Sequence, residues 1–175
     1  SLEPFIIYAP KDSILNAPHP APVALRHIIG HMIPDTIFDA LYKIIPNIIP
    51  AESAGCLCNF QLSIRPRSDK IAPKNSVRSE ILTFNSGGSG ARPYQDGMNA
   101  TAFPSGVMTM PVEATENSGP VIIWKKELRN DSGGAGEFRG GLGQNMEVGV
   151  SFGHEFDFQA MFDRTKYAPR GRSGG

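Results

Sequence analysis

The chain has 175 residues, with 17 lysines and arginines against 17 aspartates and glutamates and a formal net charge of zero. That length suffices for one domain with its own core, since a domain of about 150 residues buries roughly 68–70% of the surface its unfolded chain exposes. The balanced charge argues against nucleic acid or an anionic membrane as partner, because both require a basic excess. The apolar stretches around Ile28–Ile29 and Ile44–Ile49 are broken by Pro34, Asn47 and Pro50, well short of the roughly 20 residues of a membrane span.

The opening "SLEPFIIYAP" reads as direct entry into a strand. It has no initial methionine and no basic start followed by an apolar leader core, so the chain is expected to be a piece of a longer protein or a processed product. In "PVALRHIIGHMI" the residues Leu25, Ile28, Ile29, Met32 and Ile33 recur with helical spacing, and Pro22 sits where a first-turn proline is tolerated. "PDTIFDALYKII" repeats the pattern with Ile37, Leu41, Ile44 and Ile45, and Pro46 stops it. Pro34 then predicts a boundary between two short, core-packed helices, because proline removes a helical donor and crowds the preceding turn. His27 and His31 stand at i and i+4 and could share a metal, but the glutamate of an H-E-x-x-H motif is absent, so an edge-of-core role is expected.

Cys56 and Cys58 are the only cysteines. On an extended strand they would point to one face and form an awkward disulfide pair, which fits a reducing cytoplasm. From Cys58 the period becomes two, with Phe60, Leu62 and Ile64 alternating against Asn59, Gln61 and Ser63, as on a strand buried on one face. Further strands are predicted at Arg78–Phe84, Val121–Leu128, Asn145–Phe152 and Phe156–Phe162, with "GHE" as a hairpin connection between the last two. The basic run "SIRPRSDKIAPKNSVRSE" reads as a solvated hairpin loop, and the sequons at Asn99 and Asn130 as polar turns. The fold class is therefore α+β: a mainly antiparallel sheet with two short helices near the start and long Gly/Pro-rich loops, as a single domain or fragment over residues 1–175.

Two glycine-rich runs are the candidates for chemistry. In "SGGSGARPYQDG" the amides around Gly88 and Gly90 could form an anion nest, and Arg92 could add a forked hydrogen bond to a carboxylate or phosphate; taken alone, the run favours tight turns over binding. A P-loop is excluded, since no lysine followed by serine or threonine is present there. "NDSGGAGEFRGGLGQN" carries six glycines among Asp131, Glu137 and Arg139, and its spacing favours turns and close backbone approach over a dinucleotide fingerprint. In "PVEATENSGP", Glu113 and Glu116 have the spacing of an acid and base pair or of solvated loop charge. Asp163 and Arg164 sit together in "FDRTKYAPRGRSGG". No complete metal site or Ser-His-Asp order can be assembled from these residues.

Taken in order, "YAPKDSILNAPHPAPVALRHI", "GGSGARPYQDG", "PVEATE", "DSGGAGEFRGGLGQ" and "DRTKYAPRGRSGG" resemble the hydantoinase B/oxoprolinase family, with Lys11-Asp12 in place of the usual proline-glycine. The resemblance covers the C-terminal part of longer proteins. It implies a component of an ATP-dependent hydrolase that opens cyclic amides of the hydantoin or 5-oxoproline type, or a subunit of a ketone carboxylase; a non-catalytic subunit-contact module is the third expectation. It also implies a hydantoinase A-like, kinase-related partner that binds ATP, a small-molecule substrate and an oligomer. A divalent metal would belong to an N-terminal region outside this chain, so no metal ligand is assigned here. On the transferred role, Glu113 and Glu116 are the catalytic candidates. Gly88, Gly90, Arg92, Arg139 and Arg164 are expected to bind the substrate or an anion, with Asp96, Asp131 and Asp163 in the same site as turn and network holders.

Overall fold

A computed structural model describes residues 5–24, 26–68, 78–103, 106–107 and 109–174. Among these residues five strands form two antiparallel sheets. In the larger sheet β1 (Asn59–Pro66) lies between β2 (Ser79–Thr83) and β5 (His154–Met161), in the order β2-β1-β5. The smaller sheet pairs β3 (Val121–Leu128) with β4 (Gln144–Val150). The α+β class and the antiparallel pairing agree with the alternation in the sequence.

The period of two explains the core. Phe60, Leu62 and Ile64 project from one face of β1 and are buried with Ile81 of β2 and Val121 of β3, while Met146, Val148, Val150 and Phe156 pack against them. Leu62 is completely inaccessible, and burying such a side chain contributes about 1.5–3 kcal/mol. On the opposite face of β1, Gln61 and Ser63 donate to the Glu80 carboxylate at 2.9 and 2.8 Å, and Arg65 reaches Glu155 at 2.8 Å and also pairs with Asp157. Between β3 and β4 the register shifts next to Trp124, whose ring lies where a Cβ on Gly149 would stand, 2.2 Å away.

Four expectations change. The two short helices are one, α1 (His27–Tyr42), which continues through Pro34. Proline there costs the bond to the Gly30 carbonyl, about 3 kcal/mol in an ordinary helix interior, so tertiary anchoring has to hold the second half. Its anchored face is polar: His31 and Asp35 are buried, whereas Ile33 and Ile37 are exposed. Position 25 lies outside the described residues. The "GHE" connection is no hairpin, because β4 pairs with β3 and β5 with β1, and Gly153 turns the chain from one sheet to the other at φ 83°. Finally, residues 5–10 form no strand; Ile6 and Ile7 are 95% and 91% exposed, with no neighbouring edge among the described residues. The ends of the basic run lie in β1 and β2, which pair antiparallel, and residues 69–77, with Lys70 and Lys74, lie outside the described residues. A second, five-residue helix, α2 (Val112–Glu116), precedes β3. No helix among the described residues is long and apolar enough to cross a membrane.

Candidate functional site

The two glycine runs, more than 30 residues apart in the chain, lie against each other. Gly141 N–H donates to the Ser89 carbonyl at 2.8 Å, Ser89 N–H to Met98 at 2.9 Å, Gly97 N–H to Arg139 at 2.8 Å and Ala100 N–H to Leu142 at 2.9 Å. Backbone contact this close requires residues without side chains. A Cβ on Gly88 would stand 1.8 Å from the Gly141 carbonyl oxygen, and one on Gly141 would stand 2.0 Å from that of Met98. Asp96 fastens the pair from outside, accepting from Arg139 N–H at 3.0 Å and Nε at 3.2 Å.

On its other side the first run is tied to residues 51–54, through Ala51 N–H to Ala91 at 2.8 Å and Ala54 N–H to Gly88 at 3.0 Å. Here begins a charged corner. Glu52 is buried and accepts from Arg170 Nε at 2.7 Å, from Arg170 N–H at 3.0 Å and from Arg164 Nη2. Arg164 also reaches Asp35 at 3.4 Å, and Asp39 on the same helix face receives Arg170 and lies 2.9 Å from Arg172. Arg172 in turn stacks over Tyr42, 4.9 Å from the ring centre. Burial pushes the Glu52 carboxyl up, but the hydrogen bonds from Arg170 and Arg164 together outweigh it and hold Glu52 below the ordinary carboxylate range. In Asp35 the balance is reversed: burial dominates, the Arg164 charge offsets it only in part, and its carboxyl is pushed up.

Both features line one broad cleft of about 1500 Å³, floored by Phe60, Met146, Val148, Phe156 and Phe158. That exceeds the roughly 300–1,000 Å³ of ordinary small-molecule sites. Of the residues expected from the sequence to act in catalysis or binding, Gly88, Gly90 and Arg92 line it. Arg92 directs Nε and Nη2 at the Asp96 carbonyl, at 2.9 and 2.7 Å, within its own turn. Asp96 and Arg139 hold each other beside the cleft, and Asp131 occupies an exposed turn at φ 56°. Arg164 belongs to the charged corner, and Asp163 gives its N–H to Cys56 Sγ at 3.2 Å. Neither Glu113 nor Glu116 lines the cleft: both are on α2, and Glu116 accepts from Ile123 N–H at 2.8 Å, holding the start of β3.

The sequence reading passed over Glu52, Asp35, Asp39, Arg170 and Arg172. A signal existed, since His31, Asp35 and Asp39 repeat at i+4 and form a polar stripe that marks a helix face turned toward cations rather than a core. Two further charged residues, Arg129 and Glu137, line the cleft, and neither side chain has a hydrogen-bond or ion-pair partner among the described residues. No group of three His, Cys, Asp or Glu among the described residues could hold a metal ion.

The pattern of the hydantoinase B/oxoprolinase family matches residues 1–175. The chain belongs to this family. It is 31% identical over 99% of its length to a protein of Pseudomonas sp. (strain NS671) named as the B-type component of a D-/L-hydantoinase, and spans 28% of that relative. It is 27% identical over 99% of its length to a 5-oxoprolinase of Pestalotiopsis fici, spanning 13% of it. Among solved structures, a nucleotide-free acetone carboxylase shares the fold over 64% of this chain and 14% of its own, with a TM-score of 0.50 and 22% identity. The hydantoinase B/oxoprolinase chain described here thus spans about a quarter or less of the curated relatives it matches.

Proposed function

We propose that this chain is the C-terminal portion of the B-type component of an ATP-dependent hydrolase that opens cyclic amides, working in the cytoplasm with a hydantoinase A-like subunit that binds ATP. The observation that carries this reading is the interlock of the two glycine runs along one wall of a cleft too wide to grip a small ring alone. A second wall, supplied by the rest of the polypeptide or by the partner, narrows it to substrate size. ATP on the partner activates the amide oxygen by phosphorylation, and the groups here face the charge that develops on ring opening. Arg129 is the cleft cation best placed for that role, because Arg92, Arg170 and Arg172, which also line the cleft, are already engaged with the Asp96 carbonyl, Glu52 and Asp39. A fixed cation beside a developing oxyanion stabilises the transition state more than the ground state.

The test uses the complete protein with its ATP-binding partner. ATP-dependent opening of hydantoin or 5-oxoproline is expected, and turnover of acetone with bicarbonate alone would replace the hydrolase with a carboxylase. Arg129→Ala is expected to lower kcat/KM by about 10- to 100-fold. Unchanged turnover in that variant would make this wall a structural module.

A further inference from the structure

The two cysteines stand apart from everything assigned so far. An extended C-x-C segment would hold its sulfurs apart, but Cys58 has φ 40°, a left-handed conformation uncommon for a residue with a side chain. That turn folds Cys58 back, and its Sγ comes to 3.4 Å from Cys56 Sγ. The Cys56 sulfur also accepts from Cys58 N–H at 3.1 Å and from Asp163 N–H at 3.2 Å. Three donors converge on one buried sulfur, an arrangement that favours a thiolate. The Cys58 thiol, the strongest of the three, together with the two N–H groups, brings Cys56 down to about 6 against the opposing effects of burial and of the Asp163 carboxylate. Cys58, which supplies the bridging proton, is pushed up. Cys56 is buried, whereas Cys58 is partly exposed and lines the cleft.

We propose that Cys56 and Cys58 form a redox-active dithiol that reacts with low-molecular-mass disulfides entering from the cleft, with Cys58 as the attacked and attacking outer sulfur and Cys56 as the resolving one. In the first step the shared proton crosses from Cys58 to Cys56, and the Cys58 thiolate attacks one sulfur of R–S–S–R. A mixed disulfide forms and RS⁻ leaves. That RS⁻ takes the proton from Cys56 and departs as RSH; the Cys56 thiolate then attacks Cys58 Sγ, closes the Cys56–Cys58 bond and expels the second RS⁻. The protein dithiol is oxidised by two electrons, and one disulfide is reduced to one thiol and one thiolate.

Closure has a structural consequence. A disulfide sulfur is a poor acceptor, so the Asp163 N–H loses its charge-assisted bond one residue before Arg164, the link between Asp35 and Glu52. Oxidation therefore loosens the charged corner of the cleft.

The experiment is independent of the hydrolase reading. The complete, folded protein is incubated in glutathione buffers from fully reduced to fully oxidised, quenched by alkylation and digested, and peptide 44–67 is weighed. Expected are two alkyl groups at the reduced end and, at the oxidised end, a peptide two hydrogens lighter with no alkyl group and no glutathione. Cys56→Ala is expected to stop at a stable glutathione adduct on Cys58. If that variant does not fold, the wild-type masses decide alone. Full alkylation of both cysteines in oxidised glutathione, or a stable adduct in the wild type, would overturn the proposal. Amide exchange at Asp163 is expected to quicken on oxidation, and unchanged exchange would overturn the coupling to the cleft.

Discussion

At the charged corner Glu52 gathers Arg164 and Arg170 by charge; next to it, loops 86–100 and 132–143 meet backbone to backbone. The charged corner is held by few groups, each with several partners, so its stability is concentrated in single side chains. The glycine interlock is held by many ordinary amide bonds, each contributing about 0.5–1.5 kcal/mol, and any one side chain matters little. What it cannot tolerate is an added atom. One region is therefore vulnerable to deletion and the other to insertion.

Deletion at the charged corner has the largest expected effect. Glu52→Ala leaves Arg164, whose side chain is only 17% exposed, with Asp35 as its remaining carboxylate partner, and removing one partner of a buried pair typically costs about 3–5 kcal/mol. Denaturant titration of the complete protein measures it. The contrast with Asp35 sharpens the point. The Glu52 carboxyl is held below its ordinary value near 4.5 in the fold, so its contribution is fully present above that value and is lost as pH falls through the lower folded one. Asp35 is pushed above its ordinary value near 3.8, so the stability it confers belongs to low pH and disappears as pH rises through the folded value. Asp35→Asn at neutral pH is accordingly expected to cost less than Glu52→Gln, although both residues touch Arg164. Equal losses would mean that the charge count, rather than the balance of burial and hydrogen bonding, sets the stability of this corner.

Insertion at the interlock comes next. Gly88→Ala places a methyl group 1.8 Å from a backbone carbonyl, where no rotamer change relieves the overlap. Overpacking costs about 1–3 kcal/mol and occasionally more, and here it is expected at the upper end, with the loops driven apart and activity lost with them. Gly134 sits in the same glycine run but faces open space, so Gly134→Ala is expected within about 0.5 kcal/mol of the parent. Similar losses from both would show that the glycines are needed for conformational freedom rather than close approach.

The strands and the α+β class were legible because burial on one face writes itself into a sequence as alternation: Phe60, Leu62 and Ile64 cannot be read otherwise. The partnering of β4 was not. Adjacent strands joined by a short turn usually pair, and only the long-range contact of β4 with β3 decides against it. α1 misled for a related reason. Its apolar residues repeat helically, but residues of that stripe such as Ile33 and Ile37 remain exposed while His31 and Asp35 are buried, because the partners of the buried face are cations more than 120 positions away. Glycine spacing showed that backbone had to approach backbone, but not which backbone. The family resemblance supplied the order of motifs and no distances between them.

The smallest effect bears on Arg139. The Asp96–Arg139 pair is more than half exposed on both sides, and such pairs contribute about 0–1 kcal/mol. Asp96→Ala removes the carboxylate and also the acceptor of Arg139 N–H, whereas Asp96→Asn keeps an acceptor for that N–H and removes only the charge. If the pair serves to fasten the two loops, the alanine variant is destabilised by about 1 kcal/mol and the asparagine variant by less, with KM unchanged in both. If Arg139 instead binds a substrate anion, Asp96→Asn releases its guanidinium from a competing carboxylate, and KM for an acidic substrate such as 5-oxoproline falls while stability barely changes. The first role moves stability and leaves KM, whereas the second moves KM and leaves stability, so one pair of KM and stability measurements assigns Arg139 to the architecture or to the site.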